Sequence, residues 1–235
     1  MSALAVEVRN LTVTYPDGRA GLQGVSLEVG AGESVALVGA NGAGKSTLLL
    51  SLVGVLRGSG DIRIAGLELT QKTLPEIRRK AQLVFQDPND QLFMPVLQDD
   101  VAFGPLNFGT PRDDVQQVVA KSLESVGLSG FEERNPHNLS LGERKRAAIA
   151  TVLACEPEIL LMDEPGAGLD PRGKREFTGL LNSLPAAKLI ATHDLDFARR
   201  TCSRAVILMN GTAAVSGPIE ELLADAQLLD RCRMA

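Results

Sequence analysis

The sequence predicts an α/β fold in which a mainly parallel sheet carries helices on both faces and a helical insertion. Three observations support this. Short apolar runs such as Ser34-Val35-Ala36-Leu37-Val38 and Ile159-Leu160-Leu161-Met162 have the composition of strands buried on both faces. Helical segments separate these runs, and strands alternating with helices build a parallel sheet. From Asp87 to about Asn138 no buried-strand run occurs, and Val115, Val118, Val119, Leu123 and Val126 recur at helical spacing.

In chain order, Ala5 to Val8 and Leu11 to Tyr15 alternate as half-buried strands, and Pro16-Asp17-Gly18 is a turn. Gly24 to Val29 reads as a further strand, closed by Gly30-Ala31-Gly32. The buried strand Ser34–Val38 runs into a glycine-rich loop and an apolar helix from Ser46 to Leu56. Leu83 to Phe85, Ile159 to Met162 and Lys188 to Thr192 are the next buried strands. Val206–Met209 and Ala213–Val215 flank Asn210-Gly211 as a hairpin.

The 235 residues are enough for one domain with a sizeable core. A net charge of −5 argues against broad contact with nucleic acid or an anionic membrane, since both select basic surfaces. Cys155, Cys202 and Cys232 are widely spaced, without a Cys-x-x-Cys pair, and read as reduced thiols rather than a zinc site or disulfide framework. The opening MSALAVEVRN lacks the pattern of a signal peptide, and no apolar run approaches the ~20 residues that span a bilayer. Any membrane part of the function must come from other chains.

The chemistry concentrates in three places. Gly39-Ala40-Asn41-Gly42-Ala43-Gly44-Lys45-Ser46 fits G-x-x-x-x-G-K-[ST], follows an apolar strand and opens a helix. Its backbone N–H groups and the helix terminus suit phosphates. Lys45 is placed to reach the β and γ phosphates, Ser46 to give Mg²⁺ a hydroxyl, and Thr47 to add a phosphate contact. Asp163 ends a buried strand, where a carboxylate can hold Mg²⁺ through water, and Glu164 beside it can polarise an attacking water. Ser140-Leu141-Gly142-Glu143 opens a helix as a capping box, and the uncluttered terminus at Gly142 is an anion site.

Taken together, these segments resemble the ATP-binding-cassette nucleotide-binding domain from end to end. The family's motifs match in order: Tyr15, Gly39 to Thr47, Gln86, Leu139 to Glu143, Leu161 to Glu164, Gly168-Leu169-Asp170 and His193. The resemblance implies a phosphate-loop NTPase fold with a mainly parallel core, an N-terminal antiparallel β subdomain and a helical subdomain at roughly 87–154, all within one domain spanning 1–235. It implies ATP and Mg²⁺ as cofactors and a catalytic set of Glu164, His193, Gln86 and Lys45. It also implies that Tyr15 stacks on adenine, that Gln86 senses Mg²⁺ and the water, and that His193 meets the γ-phosphate. Ser140 and Gly142 would grip the γ-phosphate held by an opposite subunit, with Asp170 lining the seam.

Two positions depart from the family pattern. Leu141 stands where the signature usually has its first glycine, and is expected to turn away from the nucleotide. Gly166 replaces the usual threonine after Asp163-Glu164-Pro165, and is expected to loosen that loop, because glycine costs more entropy to order.

The finer resemblance is to the ATPases of energy-coupling-factor importers, carried by Val84 to Phe93 and Asp99 to Asn107. Leu141 and the segment Ala191 to Phe197 resemble the cobalt/nickel branch, with the biotin branch and other vitamin systems as alternatives. Implied partners are a second cassette subunit, a homodimer being favoured, together with a transmembrane coupling protein and a substrate-binding membrane subunit. The chain is then expected on the cytoplasmic face of the membrane, without nucleic acid. The rival classes are a soluble cassette ATPase that remodels nucleic acid or ribosomes, and a phosphate-loop kinase. The stretch Asp87, Asp90, Leu92, Phe93, Met94, Val96, Asp99 and Asp100 is expected to form a groove with an apolar floor and acidic rim for a partner helix.

Overall fold

Two sheets share one chain, and their junction positions the site. The computed structural model describes residues 4–232, so the first three residues of the N-terminal stretch lie outside it. Strands β1 (Leu4–Thr14) and β2 (Ala20–Gly30) pair antiparallel. The two short strands read at the start of the sequence form one. Asn10 adopts φ 51° and the β1–β2 register shifts between Val8 and Leu11, so a bulge takes up the break in alternation. With β4 (Ser59–Ile64) and β5 (Leu67–Glu68) they form an antiparallel sheet of order β2-β1-β4-β5.

The second sheet has the order β10-β9-β3-β8-β7-β6. Its members are β3 (Ser34–Val38), β6 (Ala81–Val84), β7 (Ile159–Asp163), β8 (Ala187–Thr192), β9 (Arg204–Met209) and β10 (Thr212–Pro218). All neighbours pair parallel except the β9–β10 hairpin, so the sheet is mixed with a parallel majority. Alternation along β3 divides the core in two. Val35 and Leu37 face the antiparallel sheet and helix α1 (Lys45–Leu52), while Ala36 and Val38 face the helical side.

Helix α1 ends four residues before the expected Leu56, at a turn where Gly54 has φ +67°. Helix α2 (Leu74–Lys80) and strands β4 and β5 were not visible in the sequence. Ser59-Gly60-Asp61-Ile62-Arg63-Ile64 offers only two apolar residues to the core. The stretch from Asp87 onward holds α3 (Leu97–Asn107) and α4 (Arg112–Ser125), followed by α5 (Leu141–Leu153), packed through Leu97, Val101, Val115, Val119, Leu123 and Ala148. Helices α6 (Pro171–Ser183), α7 (Leu195–Thr201), α8 (Ile219–Ala224) and α9 (Ala226–Arg231) complete the described chain. All three cysteines are free and buried.

Candidate nucleotide site

The loop Gly39–Gly44 joins the central strand β3 to α1, so the helix starts where the parallel strands end. Two glycines are required there. A Cβ on Gly39 would lie 2.4 Å from the Leu208 carbonyl oxygen of β9, and Gly44 has φ +105° with Gly21 pressed against it. No side chain caps the start of α1 and no acidic residue occupies its first turn, which leaves its N–H groups for an anion.

Lys45 is buried. Its ammonium donates to the Gly39 carbonyl at 2.7 Å and the Ala40 carbonyl at 3.3 Å, and lies 3.8 Å from Glu164 Oε1. Burial lowers its pKa, and Glu164 and Asp163 oppose that shift. Across the loop stands Asp163, at the end of β7. Burial raises its carboxyl pKa and the neighbouring Glu164 adds to the rise, while a hydrogen bond from Ser46 and the charge of Lys45 pull it down.

Glu164 is 6% exposed and has φ 44°, a left-handed backbone unusual for a side-chain-bearing residue. Its Oε2 accepts from the Thr192 hydroxyl at 3.0 Å. Its Oε1 accepts from the His193 N–H at 3.0 Å and lies 2.8 Å from His193 Nδ1. The end of β8 therefore holds the carboxylate that the end of β7 supplies.

Tyr15, Asn41, Gly42, Gly44, Lys45, Ser46, Thr47, Gln86, Asp163 and Glu164 line one cleft of about 270 Å³. The Tyr15 hydroxyl is 2.6 Å from Thr47 Oγ1. His193 is exposed and is not part of this lining; it connects to the cleft through Glu164.

Ser140, Gly142 and Asp170 are elsewhere. They line a separate cleft of about 410 Å³, which shares no residue with the first. Ser140 and Glu143 form the expected capping box: Glu143 N–H donates to Ser140 Oγ at 3.3 Å, and Ser140 N–H to Glu143 Oε2 at 2.8 Å. The Ser140 hydroxyl and then its N–H lower the Glu143 carboxyl pKa. Asp170 caps α6, accepting from Gly173 N–H at 2.6 Å.

The two departures resolve physically. Leu141 packs toward Gly168, whose missing side chain makes room: a Cβ there would lie 2.9 Å from Leu141 Cδ2. The expectation that Gly166 loosens its loop is corrected. A Cβ on Gly166 would meet the Phe197 ring at 3.1 Å, so the ring fills the space of the absent side chain. The expected groove is also revised, because Leu92 and Asp100 are buried. Asp100 Oδ1 accepts from the Phe93 and Met94 N–H groups at 2.9 and 3.0 Å. Asp87, Asp90 and Asp99 remain exposed. Phe85, Phe93, Phe103 and Leu106 expose large apolar surfaces, with Phe93 and Phe103 edge to face at 5.3 Å.

Sequence reasoning missed Arg19, Thr192 and Lys145. The Arg19 guanidinium lies over the Tyr15 ring, 4.9 Å from its centroid. Thr192 was legible only as the last residue of a strand. Lys145 sat among the charges of a helix, yet it is buried and reaches the carbonyls of Gln86 and Glu164 at 3.3 and 3.5 Å. Burial lowers its pKa, against the opposing charges of Asp87 and Glu164.

A glycine-rich loop between a central parallel strand and a helix, with an acidic strand end beside it, defines a phosphate-loop nucleoside triphosphatase. Within that class the chain belongs to the ABC transporter family, whose model matches residues 22–167, and it is an ATP-binding, ATP-hydrolysing subunit. It is 45% identical to the energy-coupling factor transporter ATP-binding protein EcfA of Carboxydothermus hydrogenoformans over 97% of this chain and 86% of the relative. Among solved structures, CbiO1 of Clostridium perfringens, part of the ABC transporter complex CbiONQ, aligns with TM-score 0.86 and 34% identity, over 98% of this chain and 94% of that one. The ATP-binding cassette MJ0796, a dimer in a post-hydrolysis state bound to ADP and Pi, aligns with TM-score 0.80 and 29% identity, over 91% and 98%.

Proposed function

We propose that this chain hydrolyses ATP to drive import by an energy-coupling-factor transporter, with cobalt or nickel ions as the cargo. The whole chain acts as one nucleotide-binding domain, with residues 87–154 as its helical insertion. The observation that carries the mechanism is the separation of the two clefts. A phosphate-binding cleft and an anion-binding helix end that do not meet within one chain call for a second copy, facing the first head to tail. Each ATP then lies between Lys45 of one copy and the α5 terminus at Ser140 and Gly142 of the other, with Asp170 at the seam. The dimeric state of the MJ0796 cassette supports pairing, and the likeness to CbiO1 of the CbiONQ complex supports the cargo.

The residues fit ATP and Mg²⁺. The cleft places loop N–H groups, a buried lysine, the Ser46 hydroxyl and the Asp163 carboxylate around one space. Among the described residues no cluster of three or more His, Cys, Asp or Glu side chains could hold a metal ion alone. Mg²⁺ bound through few protein oxygens plus phosphates suits such a site, and Ser46, Asp163 and Gln86 would hold it. When bound, it neutralises charge developing on the transferred phosphoryl group. Tyr15 supports the adenine, and Gly39, Asn41, Gly42, Gly44 and Thr47 shape and line the phosphate bed. Glu164 orients and polarises the attacking water, held by Thr192 and by His193, which in turn faces the γ-phosphate.

Among the described residues no helix is long and apolar enough to cross a membrane. Membrane attachment then runs through partners on the cytoplasmic face. The exposed Phe85, Phe93, Phe103 and Leu106, next to Asp87 and Asp90, suit an amphipathic partner helix carrying arginine.

The test is co-expression with the membrane subunits and pull-down from detergent. Asp87→Lys with Asp90→Lys is expected to weaken recovery of the complex with ATP binding intact, and full recovery would reject this docking surface. Cobalt uptake by reconstituted vesicles, with biotin as the alternative cargo, checks the substrate.

A further inference from the structure

Lysine is almost never fully buried without a partner charge. Two lysines here are buried outside the phosphate loop: Lys145 and Lys188. Lys188 is locally explained, because its ammonium donates to the carbonyls of Leu184 and Ala186 in its own loop. Lys145 is not local. It is 5% exposed, and its two acceptors are the main-chain carbonyls of Gln86, 59 residues away, and of Glu164, 19 residues away. No carboxylate lies within ion-pair distance of it among the described residues.

Both acceptors border the nucleotide cleft. Gln86 follows β6, and Glu164 follows β7. The Glu164 carbonyl also accepts from Ala167 N–H at 3.0 Å, and its residue holds the left-handed φ noted above. A backbone in that region persists only where its surroundings fix it. The ammonium of Lys145 therefore grips the main chain of the residue whose carboxylate Thr192 and His193 grip from the other end.

Lys145 belongs to α5, five residues along from Ser140, roughly 7.5 Å at helical rise. One rigid helix thus carries two attachments. Its N-terminus faces the second cleft, where the partner's ATP docks in the reading proposed above. Its second turn holds the loops of the chain's own site.

We propose that Lys145 is a positioning residue that links the two ATP sites of the dimer: docking of α5 on the partner's ATP is transmitted through its ammonium to Gln86 and to the backbone of Glu164. This rests on the paired reading of the two clefts.

The test uses Lys145→Met in the full chain. Methionine keeps an unbranched chain and removes the donors; the Glu164 carbonyl keeps its bond from Ala167 N–H, while the Gln86 carbonyl loses this donor, so a modest loss of stability is expected. The thermal midpoint is expected to fall by no more than about 2–8 °C, with the affinity for ATP unchanged. Turnover is expected to fall about tenfold to a hundredfold, the scale of a misplaced reacting group. The Hill coefficient for ATP, expected above one in the wild type, should fall toward one, and Lys145→Arg should recover part of both losses. Wild-type turnover and cooperativity in Lys145→Met would overturn the proposal. So would a joint loss of stability and turnover that arginine does not rescue, since that marks packing alone. Light scattering on Glu164→Gln with Mg-ATP stands apart: a protein that stays monomeric there rejects pairing itself, and the link between sites with it.

Discussion

Restoring the family's threonine at Gly166 should destabilise this protein. The Cβ of any side chain at 166 would lie 3.1 Å from Cδ2 and Cε2 of Phe197 and 3.3 Å from its Cγ. Carbon atoms rest at about 3.5–4.0 Å, so the ring must retreat by roughly 0.4 Å for the Cβ alone. Phe197 is 2% exposed and packed in the core behind β8, so it has little space to enter. Overpacking of this kind costs about 1–3 kcal/mol. Gly166 has no left-handed φ, so a side chain there also restricts the unfolded chain, which returns about 0.4–1 kcal/mol. The net expectation for Gly166→Thr is a loss of about 1–2 kcal/mol, or a thermal midpoint lowered by roughly 2–8 °C in a chain of this size.

The assay is thermal and urea unfolding of Gly166→Thr, Phe197→Leu and the double variant. Leucine removes the ring edge that the threonine would strike, so the double variant should be more stable than the sum of the single losses by about 1 kcal/mol or more. Turnover should fall with Gly166→Thr as well, because Gly166 is two residues from Glu164. A Gly166→Thr protein as stable as wild type would refute the reasoning. So would single losses that add to within about 0.5 kcal/mol.

Three other perturbations follow from the site and its surroundings. Glu164→Gln should retain ATP binding and fold, since the amide oxygen still accepts from His193 N–H, while phosphate release at saturating Mg-ATP drops ~10²–10⁴-fold; near-normal turnover would remove Glu164 from the reaction. Lys45→Ala should fail at binding, because charge-assisted bonds of about 1.5–3 kcal/mol correspond to about 10–100-fold in affinity, measured by titration with a fluorescent ATP analogue. Glu33 receives a two-pronged bond from Arg204, at 2.7 and 3.1 Å, which holds its carboxyl pKa below the ordinary 4.5, with the Gly30 N–H helping and burial opposing. A lowered folded-state value gives stability that is full above the unfolded value and lost as pH falls through the folded one. Glu33→Gln should therefore cost about 1 kcal/mol at pH 7 and converge with wild type in acid; a gap that stays constant with pH would show that the charge is not responsible.

The legible part of this protein is the part written in runs and fixed spacings. Strands β3, β7, β8 and β9 read correctly because both faces of each are buried and their central residues had to be apolar. The phosphate loop read correctly because its glycines, lysine and serine are contiguous. Strand β4 did not, since Ile62 and Ile64 alone face the core and a two-residue signal has no period. The floor and rim proposed for the region after Gln86 failed in part for a related reason. Alternating polar and apolar residues could not reveal that the chain doubles back, so that the Asp100 carboxylate caps the Phe93 and Met94 N–H groups.

What stayed hidden was any role defined by a pair of residues far apart in sequence. Leu141 and Gly166 were both visible as departures, but each is half of a pair. Gly168 accommodates the first, and Phe197, 31 positions beyond Gly166, occupies the space left by the second. Read alone, Gly166 suggests a loose loop, because glycine has the most conformational freedom to lose. Read with Phe197, it marks a loop held by packing, because a phenyl ring can approach the backbone only where no Cβ stands. Thr192 and Lys145 follow the same logic with polar bonds in place of packing. A strand-end threonine and a helix lysine carry no pattern of their own, and both act on Glu164 only after the ends of β7 and β8 and the flank of α5 have been brought together. The Glu164 carboxylate is thus named by its motif, and its orientation is set by residues that the motif does not contain.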